Sequence, residues 1–519
     1  MAKAIVVGAG HNGLTAACYL AKAGYSVVVL EAQPGIGGMT STAALVPDAP
    51  DHLLSPCAID AVYWRASPVE HELGLRSHGL QVIDHDPAWG WLGPSGESLV
   101  VRRDVNRTID EIAHFSSADA QTYREFSIVV AKALAIQDSY AVDPANRPSW
   151  RTVVAAIRGL TDRRVRRLLG AALTTSAAEL IEESFESVQM RGIFASMASI
   201  LGSITGDSSG IGLMATGPLH RYGVGRPVGG MQAIADSLAA CLHAEGGEVH
   251  VDAAVEQIVI ADGRASGVRL ADGRQLDADQ VVAAVPPHVT ARLLRGSDVT
   301  GLEALSHAPA NSAGIGCLTI GMALRGKLDI ARHQAERRDG LDLRKPSLFY
   351  GTLEDVLRGE AQARAGQAVV DPPWTATILS ATDPTQAPDG QDNLYLYAPT
   401  PTRPQPDWAT LQPVAEKELI ASADRVINGV CELEIGRFVE TPADLASRLG
   451  AENGCIYHVD QTVTRLGPLR PGRGWGKHTT NVTGLALSGA GTHPGGGVSG
   501  IPGRLAAHAV LRSDKRNRR

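Results

Sequence analysis

The residues best able to do chemistry stand near the two ends of the chain. "GAGHNG" sets Gly8, Gly10 and Gly13 in the order G-x-G-x-x-G, with His11 and Asn12 between the second and third glycines. The first glycine allows a tight turn, the second lets a pyrophosphate reach the backbone, and the third lets a helix pack closely on a strand. Glu31 follows Gly13 by eighteen residues, where a carboxylate accepts hydrogen bonds from a ribose diol and repels a 2′-phosphate. This combination predicts a dinucleotide site and disfavours NADP. Near the other end, "SGAGTHPGGGVSGIPG" (Ser488 to Gly503) gathers seven glycines around His493. Pro494 stands where a third glycine would complete Gly489-x-Gly491-x-x-Gly, so this cluster is not read as a second phosphate turn. His493 either serves as an acid or base or only shapes its turn.

His220, Tyr222 and Arg226 in "LHRYGVGRP" either line a substrate cavity or form a salt-bridged linker. His493 and His220 are the candidate bases; Tyr63, Trp64, Tyr222, Trp475 and His478 are candidate pocket walls. "GDSSG" from Gly206 fits G-x-S-x-G but follows a helical stretch, whereas a nucleophile elbow needs a strand. "HELGLRSH" has Leu75 where H-E-x-x-H requires its second histidine, so no zinc site is expected. The six cysteines include no C-x-x-C pair, which argues against a disulfide framework, a metal site and a redox dithiol.

The elements that must position these groups follow from periodicity. Ala4–Val7 read as a buried strand, "LTAACYLAKAG" as a helix ending at Gly24, and "SVVVLE" as a second strand. From about Asp60 to Gly217 the apolar spacing is mainly helical. Asp262-Gly263 and Asp272-Gly273 mark hairpin turns, and "VVAAVPP" reads as a strand rejoining the first sheet. Strands such as "NLYLYAP" and helices such as "DWATLQPVAEKELIASADRVING" follow. The fold class is α/β: a discontinuous Rossmann-type domain (1–60, 218–290, 456–519) interleaved with an α+β substrate domain (61–217, 291–455).

At 519 residues with 44% hydrophobic and 20% charged residues, the composition is that of a two-domain globular protein. A net charge of −7 gives no reason to expect nucleic acid. No apolar run is long enough to span a bilayer, and peripheral contact through an amphipathic helix is left open. The first strand begins too early for a signal peptide, so the cytoplasm is the default compartment. The oligomeric state is not set by the sequence.

The two ends, "VVGAGHNGLTAACYLAKAGYSVVVLEA" and "GAGTHPGGGVSGIPG", together with "PVGGMQAIADSLAACLHAEGGEVHVDAAVEQI", resemble phytoene desaturase-related proteins of the amine oxidase superfamily. The "GHNGL" and "THPGGGVSG" variants are most similar to the desaturase-like carotenoid ketolases and to proteins named for a pyridine nucleotide-disulfide oxidoreductase domain. The resemblance implies FAD as cofactor. Gly37 and Gly38 look like that superfamily's second glycine pair, followed by Met39 and Thr40. The resemblance adds Ala32 beside Glu31, Val255 meeting the adenine through its backbone, and Gly491, Gly500 and Ile501 at the flavin. "GIGCLT" lacks a third glycine, so a separate NAD(P)H domain is not expected.

The expected activity is dehydrogenation of a lipophilic or uncharged small molecule, with hydride passing to flavin N5 and reoxidation by oxygen or another acceptor. Oxygen insertion as in the ketolases, a redox-silent isomerase and a non-catalytic flavin scaffold are the competing readings. An overall aromatic content of 4% argues against the aromatic sandwich of an amine oxidase.

Overall fold

Ala4 and Val6 turn one way into a helical core, while Ile5 and Val7 turn the other way into a second core. A strand buried on both faces is an interior strand of a parallel sheet. The computed structural model, which describes residues 1–206 and 209–517, places Lys3–Val7 at the centre of such a sheet. Its five strands run in the order Leu485–Leu487, Gln280–Ala283, Lys3–Val7, Ser26–Leu30, Glu248–His250, and every pairing is parallel. Helices His11–Lys22, Gln232–Ala244 and Ile501–Asn517 contribute to the core on one face. An antiparallel meander (Val255–Ala261, Arg264–Leu270, Gln275–Asp277) packs into the core on the other. The Asp262-Gly263 and Asp272-Gly273 turns lie in that meander, and Asp262 and Gly263 take the positive φ a tight hairpin requires.

A second sheet of seven strands has the order Glu434–Glu440, Ile315–Leu324, Asp392–Pro401, Trp374–Thr377, Ser347–Tyr350, Trp89–Leu92, Ser98–Val101. Two of its strands, and Val82–His85, come from the stretch that periodicity assigns mainly to helices. They are four residues each, too short to display a period against the long helices that follow. Those helices divide where a serine caps a new start. Ser116 accepts from the Asp119 N–H ahead of Ser117–Ala141, and Ser187 from the Met190 N–H ahead of Val188–Ser199. The helices Val62–Arg65 and Val69–Leu73 pack into the core of the parallel sheet through Trp64, Val69 and Leu73. Asp207 and Ser208 of "GDSSG" lie outside the described residues; Ser209 opens a 3-10 turn. No helix among the described residues is long and apolar enough to cross a membrane.

Candidate active site

The first turn shows three different reasons for glycine. Gly8 has φ +101°, and a Cβ there would meet the Ala284 carbonyl oxygen at 3.1 Å. A Cβ on Gly13 would lie 2.0 Å from the Gly8 carbonyl oxygen, so helix and strand touch backbone to backbone. Gly10 has no comparable neighbour: its Cβ would find nothing nearer than the Gly37 carbonyl oxygen at 3.9 Å. That open cradle faces a cavity of about 750 Å³. The helix His11–Lys22 starts at Gly10 without a side-chain cap, so its first N–H groups and the positive end of its dipole face the same space.

The rest of this end of the cavity suits a dinucleotide. Glu31 accepts the Ala9 N–H through Oε2 at 2.7 Å and the Gln33 N–H through Oε1 at 2.9 Å, which fixes its carboxylate on the cavity wall. Ala32 and Val255 line the wall with it. His11 Nε2, Asn12 Oδ1 and His458 Nδ1 are buried without a partner in residues lining the cavity. Burial lowers His11 to about 4; burial, with Arg470 adding to it, lowers His458 to about 3. Both rings are therefore neutral near pH 7, with hydrogen-bonding capacity left for a ligand. An uncapped helix end, an unfilled glycine cradle, a ribose acceptor and orphaned polar atoms together fit FAD.

Towards the seven-stranded sheet the lining changes to aromatic and aliphatic side chains: Tyr63, Trp89, Phe349, Tyr395, Tyr397 and Tyr457, with Met197, Ile200, Leu201 and Ile456. Burial raises the Tyr395, Tyr397 and Tyr457 hydroxyls, so these rings are neutral. The acids at this end are held. Arg448 clamps Glu440 with two bonds, Nε to Oε1 at 2.6 Å and Nη2 to Oε2 at 3.0 Å. Arg226, only 1% exposed, donates from Nε to Asp60 Oδ1 at 2.8 Å, and Ser347 donates to Oδ2 at 3.0 Å. Burial alone would raise the Asp60 carboxyl, but Arg226 and His85 hold it well below the usual carboxylate range.

Comparison with known proteins agrees with this geometry. Residues 6–59 match the model of the NAD(P)-binding Rossmann-like domain, and residues 158–355 that of the flavin containing amine oxidoreductases. The chain is 27% identical to the pyridine nucleotide-disulfide oxidoreductase domain-containing protein 2 of Mus musculus, covering 99% of this chain and 94% of that one. It is 25% identical to a lycopene-forming phytoene desaturase of Pseudescherichia vulneris, covering 98% and 99%. The chain is a flavin oxidoreductase similar to the phytoene desaturases. Its fold is also that of the cyclohexylamine oxidase from Brevibacterium oxydans (TM-score 0.59, 16% identity, 99% of each chain) and of an oxidoreductase from Methanosarcina mazei (TM-score 0.63, 16% identity, 98% and 100%).

Of the cofactor residues expected for this flavoprotein, Gly8, Gly10, His11, Asn12, Glu31, Ala32, Gly38, Met39 and Val255 line the cavity. Gly13, Gly37 and Thr40 lie just behind it. Gly37 donates to the Ala9 carbonyl, and Thr40 Oγ1 donates to the Gly37 carbonyl at 2.8 Å. From the C-terminal cluster the wall is made by Gly489, Ala490, Gly497 and Val498. Gly491 packs towards Pro287, while Gly500 and Ile501 are outside the lining, with Gly500 packed towards Thr15 of the first helix.

Tyr63 lines the cavity; the other expected wall and catalytic residues do not. Trp64 is in the core of the parallel sheet. Trp475 is buried with its indole N–H on the Gly301 carbonyl, and His478 donates from Nδ1 to the Leu487 carbonyl at 2.9 Å. Tyr222 donates to Asp138. His220 sits in the helical region, donating from Nδ1 to the Arg103 carbonyl and accepting from the Tyr123 hydroxyl at 2.6 Å. His493 donates from Nε2 to the Tyr140 carbonyl at 3.1 Å, its ring against that of Tyr140. Arg226 is the salt-bridged link between separate segments that its sequence position allows.

Residues not singled out by sequence complete the site. Ala284, Val285 and Pro286 follow directly on the strand Gln280–Ala283, and the carboxyl ends of parallel strands are where such folds bind ligands. "VVAAVPP" carried that signal. Arg470, fully buried, has no carboxylate partner among the described residues. Its Nη2 donates to the carbonyls of Tyr457 (2.8 Å), Val459 (2.9 Å) and Ala490 (2.9 Å), which ties together two loops that line the cavity.

Proposed function

We propose that the protein dehydrogenates a lipophilic, uncharged organic molecule, taking hydrogen from carbon in the cavity between the two sheets. The observation that carries this reading is the pairing of acids in an apolar, aromatic chamber. Asp60 and Glu440 are each neutralised by an arginine, and Glu31 is bound to backbone amides. At the aromatic end a cationic substrate would find, among the described residues, no lining carboxylate without an arginine, whereas an apolar one gains by leaving water. FAD, when bound, supplies the two-electron acceptor. The chain's own residues hold it: the Gly10 turn and the uncapped helix end receive the pyrophosphate, Glu31 takes the ribose, and the neutral His11 and His458 offer hydrogen bonds. The walls from Met197 to Leu201 and around Tyr397 and Tyr457 exclude water and orient the substrate.

The experiment is to mix purified, flavin-loaded protein with hydrophobic polyenes and uncharged alcohols without oxygen. Bleaching of the flavin bands, with product lighter by two hydrogens, supports the proposal. Product gaining oxygen in air points to the ketolase reaction, and an intact fold with no flavin absorbance removes the basis of the reading.

A second reading, oxidation of an amine, has one specific observation behind it. The chain is poor in aromatic residues, yet six of them meet on this cavity, and aromatic faces attract cations. Bleaching by amines but not by neutral polyenes would favour it.

A further inference from the structure

The helix Trp150–Thr161 buries only one side. Thr152 and Gly159 face inward, and a Cβ on Gly159 would lie 2.6 Å from Ile136 Cδ1, so the helix sits tightly on the long helix Ser117–Ala141. The opposite side carries Trp150, Val153, Ile157 and Leu160, which are 72%, 46%, 59% and 44% exposed. At a rotation of about 100° per residue these four positions form one stripe pointing away from the protein.

Charge surrounds that stripe unevenly. From Arg147 to Ala178 the chain has seven arginines against the single Asp162, although the whole protein carries −7. Arg151 and Arg158 flank the stripe, and Arg163, Arg164, Arg166 and Arg167 begin the next helix; all six are exposed. Asp162 is already occupied by Lys132 and Arg164. Among the described residues Arg151, Arg158, Arg163 and Arg167 have no carboxylate partner, and the Arg151 guanidinium lies 5.7 Å from the Trp150 ring centre.

We propose that this face seats the protein on an anionic lipid bilayer. An outward apolar stripe with tryptophan at its edge and arginines along its side matches the layering of a membrane surface, with acyl chains beneath negative headgroups. A second copy of the chain is the poorer occupant, because an isologous contact would bring the two arginine rims together. The helices of this region also reach the cavity: Met197, Ile200 and Leu201, on and just after the helix Val188–Ser199, form part of its wall. The inference stands apart from the proposed reaction, since docking needs no substrate.

The test is cosedimentation of the flavin-loaded protein with vesicles of phosphatidylcholine alone, or mixed with phosphatidylglycerol, at low and high salt. Binding to the mixed vesicles alone, weakened by salt, is expected. The variants W150S/I157S and R163E/R167E should each lower partitioning by about ten-fold or more, with thermal stability and flavin content kept. Absence of binding to either vesicle, or undiminished binding by both variants, overturns the proposal. So does a wild-type dimer in light scattering that I157S splits while vesicles bind neither form; that result assigns the face to a second copy.

Discussion

A Cβ placed on Gly503 would lie 2.1 Å from the carbonyl oxygen of Asn12. The last helix therefore crosses the first with backbone against backbone, beside the Gly8–Gly13 turn. Gly503→Ala forces the two helices apart. Overpacking of this kind costs about 1–3 kcal/mol, and here it also displaces Asn12 and His11 from the cavity wall. A lowered melting temperature together with partial loss of flavin on gel filtration is the expected result.

Glu31 organises the opposite side of that turn by holding the Ala9 and Gln33 amides. Glu31→Ala removes both charge-assisted bonds and the ribose acceptor. Such bonds contribute about 1.5–3 kcal/mol each, so FAD affinity should fall about ten-fold or more, measured by titrating apoprotein with FAD fluorescence.

The Asp60–Arg226 pair predicts a pH dependence. Because Asp60 is held below its ordinary value near 4, the unfolded chain takes up its proton first as pH falls. Its stabilisation is present above about pH 4 and drains away in stronger acid. Arg226→Gln leaves the buried carboxylate with only His85 and Ser347 beside it and no permanent cation, with a penalty of about 3–5 kcal/mol. Burial then raises that carboxyl, and the contribution reverses: the variant should lose stability as pH rises above about 4. Denaturant melts of both proteins across pH distinguish the two slopes.

The buried histidines act in a different window. Burial lowers His478 and His493 to about 4. The unfolded chain is protonated first as pH drops below about 6.5, so stability declines from there to about pH 4. His493→Asn should flatten that decline. Because the ring faces Tyr140 and lies outside the cavity lining, turnover should stay within about three-fold of wild type near pH 7. A hundred-fold fall in kcat with an unchanged melting curve would restore His493 as the base.

The parts legible in sequence are those whose chemistry is local. Gly8, Gly10 and Gly13 lie within one turn, Glu31 ends the next strand, and the Asp-Gly hairpins announce themselves in two residues. The resemblance of both ends to one family supplied FAD. The far wall was not legible because no segment contains it. Trp89, Phe349, Tyr397 and Tyr457 come from separate stretches, and Trp91 pairs with Phe349 across a sequence separation of 258 residues. Low aromatic content described the chain but not the cavity, where the rings concentrate. The histidines drew attention because imidazole is versatile, yet nothing local distinguishes a ring facing substrate from one bonded to a backbone carbonyl. Arg470 shows the same limit: an arginine buried among carbonyls has no partner residue to pattern with.

The parallel sheet brings Lys3–Val7 and Ser26–Leu30 together with Leu485–Leu487, a strand far along the same chain. During synthesis the Gly8–Gly13 turn leaves the ribosome long before the wall made by Gly489, Ala490, Gly497 and Val498. A cofactor gripped at both places must wait for the later one. A chain cut short before Gly489 keeps the glycine signature of the first turn and lacks that wall, so flavin retention reads out whether the later segment has been made and folded.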